Sequence, residues 1–353
     1  MYIFLLIILL FIALLDILLK KNFFVYFSAI ILAIIAGIRG EYVGIDTEAY
    51  INDYNAVLKG FSPMNSTEFG FVGLEKIFSA LNFPVWLFLL FISILTFFIL
   101  CYCFVEFSGY FAGLVMAYYY ARFYISRDFN QIRSSLSAAL ILVSLKYVKE
   151  KKLVKFIFII LIGNLIHSGT WIALVIYPSY FFIWKKLKSK ILILYPLILS
   201  FFIILSQTIS PILEKFAQSL DKGSVYITSE YYTQGSGLSN PVMWMQIFIS
   251  LIAVYLGVKF STQENENLKL VITSYIFSTL ILVLFNQYRM LGGRLSTMFA
   301  TVEPLVVLFS LNLIKISKIV RIVSFICIII IIFILINYIG GLIPELYPYY
   351  ISV

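Results

Sequence analysis

The chain has 353 residues, 62% of them hydrophobic and 12% charged, with a formal net charge of +9 and a mean hydropathy of +1.01. Soluble domains carry about 25% charged residues, so this composition excludes a soluble enzyme. The basic excess lies beside apolar runs, where it reports membrane topology and not nucleic-acid binding.

Apolar runs recur from end to end, the pattern of an all-α polytopic membrane protein read as one transmembrane domain over 1–353. The short alternating segments of a transmembrane barrel are missing. The first run, Met1–Leu19, has no basic residue before its apolar core and no small-residue cleavage site after it. It reads as a membrane helix and not as a signal peptide. About twelve spans are expected, at 2–19, 23–38, 84–105, 110–125, 129–148, 154–166, 170–184, 191–207, 241–258, 269–286, 296–312 and 321–339. Cys101, Cys103 and Cys327 fall inside these spans, where buried packing is expected and not a disulfide or metal framework.

The short connections at 20–21, 146–155, 185–190, 259–269 and 315–321 are rich in lysine and fall on alternate loops. By the positive-inside rule they face the cytoplasm, and both termini lie outside. These connections hold fifteen lysines and a single arginine, Arg321, whereas the opposite side holds six arginines (Arg39, Arg122, Arg127, Arg133, Arg289, Arg294) and four lysines. Lysine suffices as a topology signal, but the planar guanidinium fork grips carboxylate or phosphate with paired hydrogen bonds. Any single interfacial arginine also suits snorkelling to headgroups; six on one side favour an anionic ligand.

Two outer connections are long. The first, 39–83, opens on Arg39 and runs through Gly40, Gly44 and Asp46, a turn-rich acidic segment. Its second half reads as an amphipathic helix on the membrane surface, with Phe71, Leu74, Phe78 and Leu81 on one face. Glu68 and Glu75 share another face, and Glu75 is expected to be solvated. The second connection, 207–240, carries Tyr226, Tyr231 and Tyr232, which suit either stacking on sugar rings or an interfacial belt.

The fifth span places Asn130, Arg133, Ser134, Ser137 and Ser144 at helical spacing. Such a stripe faces a neighbouring helix or a water-filled cavity, and Arg133 favours the cavity. The 32 residues of Leu153–Trp184 carry no charge after Lys155 near their start and are short for two spans, so the reversal at His167-Ser168-Gly169 is expected below the outer surface. His167 is the one histidine in the chain, hence the one histidine able to serve as a base, although a lone histidine serves as readily in packing. Asn286–Arg289 ends the tenth span, and Gly292-Gly293-Arg294 opens the eleventh in a way that suits a phosphate. Glu303, deep in an apolar run, is expected to be neutral or paired. No Walker loop, G-x-S-x-G or H-E-x-x-H occurs; Asp46-Thr47-Glu48 is a weak D-x-E metal pattern.

Four segments carry a family resemblance. They are Arg39 with Gly44-Ile45-Asp46 and Tyr50, then Glu68-Phe69-Gly70-Phe71, then Asn130-Gln131-Ile132-Arg133, and finally His167-Ser168-Gly169. With them the chain resembles the EpsG-type branch of the Wzy polysaccharide polymerases of bacterial capsule, exopolysaccharide and O-antigen assembly. Ser134-Ser135 departs slightly from the family's usual Gln or small residue after the arginine, and the C-terminal half matches in hydropathy and outer arginines. The resemblance implies a GT-C-like polymerase on the outer face of the bacterial plasma membrane. Its substrate would be an oligosaccharide repeat on undecaprenyl diphosphate, with no cofactor, metal or nucleotide sugar, and a chain-length regulator protein as partner beside membrane lipids.

The residues fit that chemistry. Outer arginines can stabilise a departing diphosphate without a metal. The expected diphosphate or glycan ligands are Arg39, Arg127, Arg133, Arg289, Arg294, Asn130 and Gln131. The attacking hydroxyl needs a base, for which His167 comes first and Asp46 or Glu68 second. A flippase or other transporter of lipid-linked oligosaccharide, a metal-dependent GT-C glycosyltransferase using Asp46-Thr47-Glu48, and a ligase remain rival readings.

Overall fold

The computed structural model describes residues 1–186, 190–218, 237–260, 266–343 and 349–351. Tyr226, Tyr231 and Tyr232 lie outside the described residues. Among the described residues every regular element is helical, with one isolated antiparallel bridge between Arg39 and Ile351. Among the described residues six stretches are long and apolar enough to cross a membrane, or seven if the pair Met290–Ala300 and Glu303–Leu313, bent by 53°, counts as one span. This is fewer than the twelve expected. Part of the difference is the 44-residue run Val85–Asp128, which reverses at Gly109, where φ is +56°. Phe97 before the turn meets Tyr119 and Tyr124 after it at 6.1 and 5.7 Å, so the run is a hairpin. Two further apolar helices, Phe24–Gly37 and Leu153–Ile166, have only 14 residues each, about 21 Å at 1.5 Å per residue.

The chain separates into two compact units, one of Met1–Ile172 with Lys315–Val353 and one of Ala173–Ile314. The first contains α1 (Tyr2–Leu19), α2 (Phe24–Gly37), α3 (Thr47–Leu58), α4 (Phe69–Ala80), α5 (Val85–Ser108), α6 (Ala112–Tyr119), α7 (Ile132–Lys149) and α8 (Leu153–Ile166). From the second half of the chain, α15 (Lys318–Phe333) returns to it. α5 packs on α2, α3, α6 and α7, while α6 is enclosed by α1, α2, α5 and α15. All eight residues of α6 are buried. α6 runs on as a π-helix over Tyr120–Asp128, a geometry rare at that length and frequent at functional sites.

The two ends of this unit differ in chemistry. At one end Asp16 accepts the N–H groups of Phe24 and Val25 at 2.9 and 2.8 Å and ties α1 to α2. There too Lys146 pairs with Glu106 at 3.3 Å, and Lys318 lies 4.9 Å from the Tyr110 ring. At the other end Phe129 meets Tyr2 and Tyr349 at 6.4 and 6.3 Å. The Gly40 N–H donates to the Tyr350 carbonyl at 2.8 Å. Lysines thus gather at one end and Arg39, Arg127 and Arg133 at the other.

The second unit contains α9 (Ile176–Phe181), α10 (Tyr195–Gln218), α11 (Pro241–Lys259), α12 (Glu266–Leu284), α13 (Arg289–Ala300) and α14 (Glu303–Leu313). α12 touches all five of the others. Its serines and threonines join them by hydrogen bonds: Thr273 accepts from Trp184 at 3.0 Å, Ser278 from Gln246 at 3.3 Å, and Ser274 donates to the Phe299 carbonyl at 3.2 Å. Glu303 is buried at the start of α14 and accepts from the Tyr275 hydroxyl at 2.9 Å. A carboxylate there also meets the positive end of a helix.

Candidate functional site

The site grows out of the arginine-bearing end of the first unit. Arg39 follows α2 and is buried; its Nε donates to Thr47 Oγ1 at 3.1 Å and its Nη1 to the Ala36 carbonyl. Between them Gly44 has φ +103°, and a Cβ there would stand 2.2 Å from the Phe129 carbonyl oxygen. Only glycine fits such an approach. Asn130 fastens the same loop from across the fold, its Oδ1 accepting the Ile45 N–H at 2.6 Å. Its Nδ2 donates to the carbonyls of Ile125 and Ser126 at 3.0 and 3.2 Å. Asp46, half-buried, precedes α3, and its side chain makes no capping bond there.

The second segment rests on this frame. Glu68 stands at the N-terminus of α4 in extended backbone, and Arg133 Nη1 donates to its Oε2 at 2.5 Å. The Arg133 guanidinium lies 5.7 Å from both the Tyr50 and the Phe71 ring centroids, a doubly stacked position that adds cation–π attraction to the ion pair. The Ser168 hydroxyl approaches Glu68 Oε1 at 3.5 Å. Burial works against the charged form of Glu68, but Arg133 first, and then its own backbone N–H, His167 and the Ser168 N–H, hold its carboxyl below the usual range.

His167 ends α8 in extended backbone. The Gly169 N–H donates to its Nδ1 at 3.0 Å. That bond uses the Nδ1 lone pair, so a neutral ring carries its proton on Nε2. The close packing of α4 on α8 fixes the spacing: a Cβ on Gly70 would stand 2.7 Å from both the Cβ and the carbonyl oxygen of Leu165.

Glu75 is where sequence and structure part. Expected in solvent, it is fully buried, and neither carboxyl oxygen has a hydrogen-bond partner among the described residues. Burial lifts its carboxyl to about 8; Asp53 pushes the same way and Arg133 pulls it back. The reason is the register of α4. Its buried residues are Phe71, Glu75 and Ser79, an i, i+4 stripe, whereas Leu81, placed on the apolar face by sequence, is 58% exposed.

Arg127 and Gln131 belong to the frame beneath. Arg127 is buried, its Nη2 donating to the Tyr119 hydroxyl at 2.9 Å and its guanidinium 5.0 Å from the Phe123 ring. Tyr119 donates in turn to Asp128 Oδ2 at 2.9 Å, and Ser135 donates to the other oxygen. The Gln131 N–H donates to the Arg127 carbonyl at 2.6 Å. Below Arg133 the serine stripe serves helix packing and not a cavity: Ser134, Ser137 and Ser144 are buried, and Ser137 donates to the Gly163 carbonyl at 3.0 Å. Arg289 and Arg294 lie on α13 in the second unit, Arg294 half-buried. Among the described residues no three His, Cys, Asp or Glu side chains converge as a metal site would require.

Arg133, Glu68 and His167, drawn from three distant segments, therefore meet at one place, with Arg39, Asn130, Arg127 and Gln131 in the frame that holds it. Sequence reasoning missed Glu75, and it named Tyr50 and Ser168 within the four segments without giving them a role; the i, i+4 step from Phe71 was the signal for Glu75.

Amylovoran biosynthesis protein AmsC of Erwinia amylovora is 24% identical over 302 residues, which cover 82% of this chain and 78% of that protein. No solved structure matches. A family model described as the EpsG family matches residues 22–350, a span that takes in all four converging segments and both units; the chain is a member of the EpsG family, with several helices apolar enough to cross a membrane.

Proposed function

We propose that this protein polymerises oligosaccharide repeat units carried on a polyprenyl diphosphate, at the outer face of the bacterial plasma membrane. The observation that carries the reading is Arg133, bound to Glu68 and stacked on two rings, beside His167 and Ser168. Family membership supports a role in polysaccharide biosynthesis. A twelve-span, GT-C-like layout belongs to the same proposal.

In the reaction the bond from the anomeric carbon to the diphosphate oxygen breaks as a bond to the acceptor hydroxyl oxygen forms. Negative charge gathers on the departing diphosphate. Arg133 meets it with a fixed charge, and the Nε2–H of His167 adds a donor. The histidine expected as base thus becomes a donor in this assignment, because its Nδ1 is occupied. Glu68, held ionised, takes the proton of the attacking hydroxyl. Asp46 stands as the alternative acceptor. Arg39, Arg127, Asn130 and Gln131 hold the frame, and Arg289 and Arg294 remain candidate anion-binding residues of the second unit. No metal takes part.

The test is chain growth in vitro. Purified protein in nanodiscs, given a defined undecaprenyl-diphosphate-linked repeat, should yield a ladder of longer glycans that survives EDTA. Products of unchanged length defeat the polymerase reading, and a ladder lost to EDTA and restored by manganese defeats metal independence. Arg133→Ala should lower the rate roughly a hundredfold or more, the usual cost of removing a donor to developing charge.

A further inference from the structure

In the second unit Ser206 and Gln207 of α10 meet Asn286 and Gln287, which follow α12, through two parallel hydrogen bonds. Asn286 Nδ2 donates to Ser206 Oγ at 2.9 Å in a buried bond, and Gln287 Nε2 donates to Gln207 Oε1 at 2.8 Å in an exposed one. Gln207 Nε2 turns back to Ser206 Oγ at 3.3 Å, and the serine hydroxyl donates to the Ile203 carbonyl at 2.7 Å. All three amide nitrogens are thus engaged. Asn286 Oδ1, in a residue only 1% exposed, has no partner among the described residues. The turn 237–239 belongs to the same place: the Gly237 N–H donates to the Asn286 carbonyl at 2.6 Å. A Cβ on Gly237 would stand 3.5 Å from Gln287 Oε1. Trp244 of α11, half exposed, is fixed to that turn by its indole N–H on the Leu238 carbonyl at 2.7 Å. We propose that this cluster is a subsite for sugar hydroxyls, in which a hydroxyl displaces the exposed Gln287–Gln207 bond and donates to Asn286 Oδ1. On the polymerase reading those hydroxyls are the glycan's.

The hydrogen-bond inventory selects a hydroxyl over a phosphate. A buried acceptor without a donor is costly to keep, and a ligand that brings the donor recovers that cost. A phosphate oxygen is itself an acceptor and would face Asn286 Oδ1 with like partial charge. A hydroxyl is donor and acceptor at once. Each amide nitrogen spends one N–H on the bonds above and carries a second, so the cluster can return a donor to the hydroxyl that binds it. The bond that must open is the exposed one, which exchanges readily with water; the buried one stays and holds the Asn286 amide with its oxygen free. Ser206 is what sets that orientation, because its hydroxyl is committed to the Ile203 carbonyl and leaves only lone pairs for the amide nitrogens. Trp244 alone would serve equally as an interfacial anchor. The orphaned oxygen is what points to a ligand.

Equilibrium binding to the full chain in nanodiscs tests this without turnover, using two probes: the undecaprenyl-diphosphate-linked repeat and undecaprenyl diphosphate alone. Asn286→Leu removes the acceptor at nearly constant volume and should weaken the repeat roughly tenfold, the worth of one hydrogen bond, while undecaprenyl diphosphate binds within about twofold of wild type. Ser206→Ala keeps the acceptor but frees the amide to rotate, and should weaken the repeat roughly threefold with the same indifference to the bare carrier. The second variant suits a helix and decides the matter if Asn286→Leu fails to fold. Repeat binding unchanged in Ser206→Ala overturns the proposal, because a buried water then satisfies Asn286 and no ligand does. Equal weakening of both probes overturns it as well, since the segment then serves the diphosphate or the fold. A wild type that shows the expected binding but forms no glycan ladder defeats only the polymerase reading and leaves the subsite standing.

Discussion

At the scale of single residues the candidate site depends on what an arginine does that a lysine cannot. Arg133 spans an ion pair and two ring faces at once. Arg133→Lys keeps the charge but loses the planar fork and the stacking, and should slow chain growth at least tenfold, read from ladder formation with protein levels matched. The two glutamates set opposite pH dependences. Glu75 is protonated in the folded chain up to about 8, whereas an unfolded glutamate loses its proton near pH 4.3. Folding thus binds a proton over that window, and stability falls as pH rises through it. Glu68 is lowered, so its pairing with Arg133 contributes above the unfolded value and is lost as pH falls below about 4. Thermal unfolding should show greatest stability near pH 5, with the decline toward pH 8 flattened in Glu75→Gln. Residue type alone made Arg133, Glu68 and His167 legible in the sequence. It hid Glu75, because an apolar face drawn only through apolar residues leaves out a carboxyl that shares their stripe.

At the scale of elements the site is a set of close approaches between segments far apart in the chain. Asn130 ties the first loop to the start of α7 through Ile45 and the Ile125 and Ser126 carbonyls. Asn130→Ala strands those buried groups and should cost about 1–3 kcal/mol, with proteolysis of 40–46 faster than in wild type. Gly70→Val would drive α4 from α8, since even a Cβ meets Leu165 at 2.7 Å. It should separate Glu68 from Ser168 and suppress chain growth while the protein still inserts and purifies. Most helices were legible from hydropathy, and α1 begins and ends where the apolar run does. The π-helical stretch Tyr120–Asp128 was not. Its register depends on Arg127, Tyr119 and Asp128 closing a network, and no local pattern announces a tertiary bond.

At the scale of the whole molecule, charge sorts the two ends of the first unit. Lysines at 146 and 318 mark one end and the arginine cluster the other. Single cysteines placed at Lys152 and at Asn65, in a background without native cysteines, should react with impermeant reagents from opposite sides of the membrane. Labelling of both from one side would overturn the assignment of the site to the outer face. The sequence indicated this sorting through its uneven use of lysine and arginine. It did not indicate two units, because hydropathy counts spans without recording which of them share contacts.

The return of α15 to the first unit bears on how the protein is made. α6 needs α15 to enclose it, the Asn337 side chain donates to the Ala121 carbonyl at 2.8 Å, and the Arg39 segment pairs with Ile351. All of Ala173–Ile314 is translated between those partners, a delay on the order of ten seconds at about 5–20 residues per second. For that interval the helices that carry the site wait in the bilayer with one wall missing. Ribosome-stalled chains ending before α15 should accordingly be cleared by membrane proteases, and co-expressing 315–353 as a separate fragment should protect them.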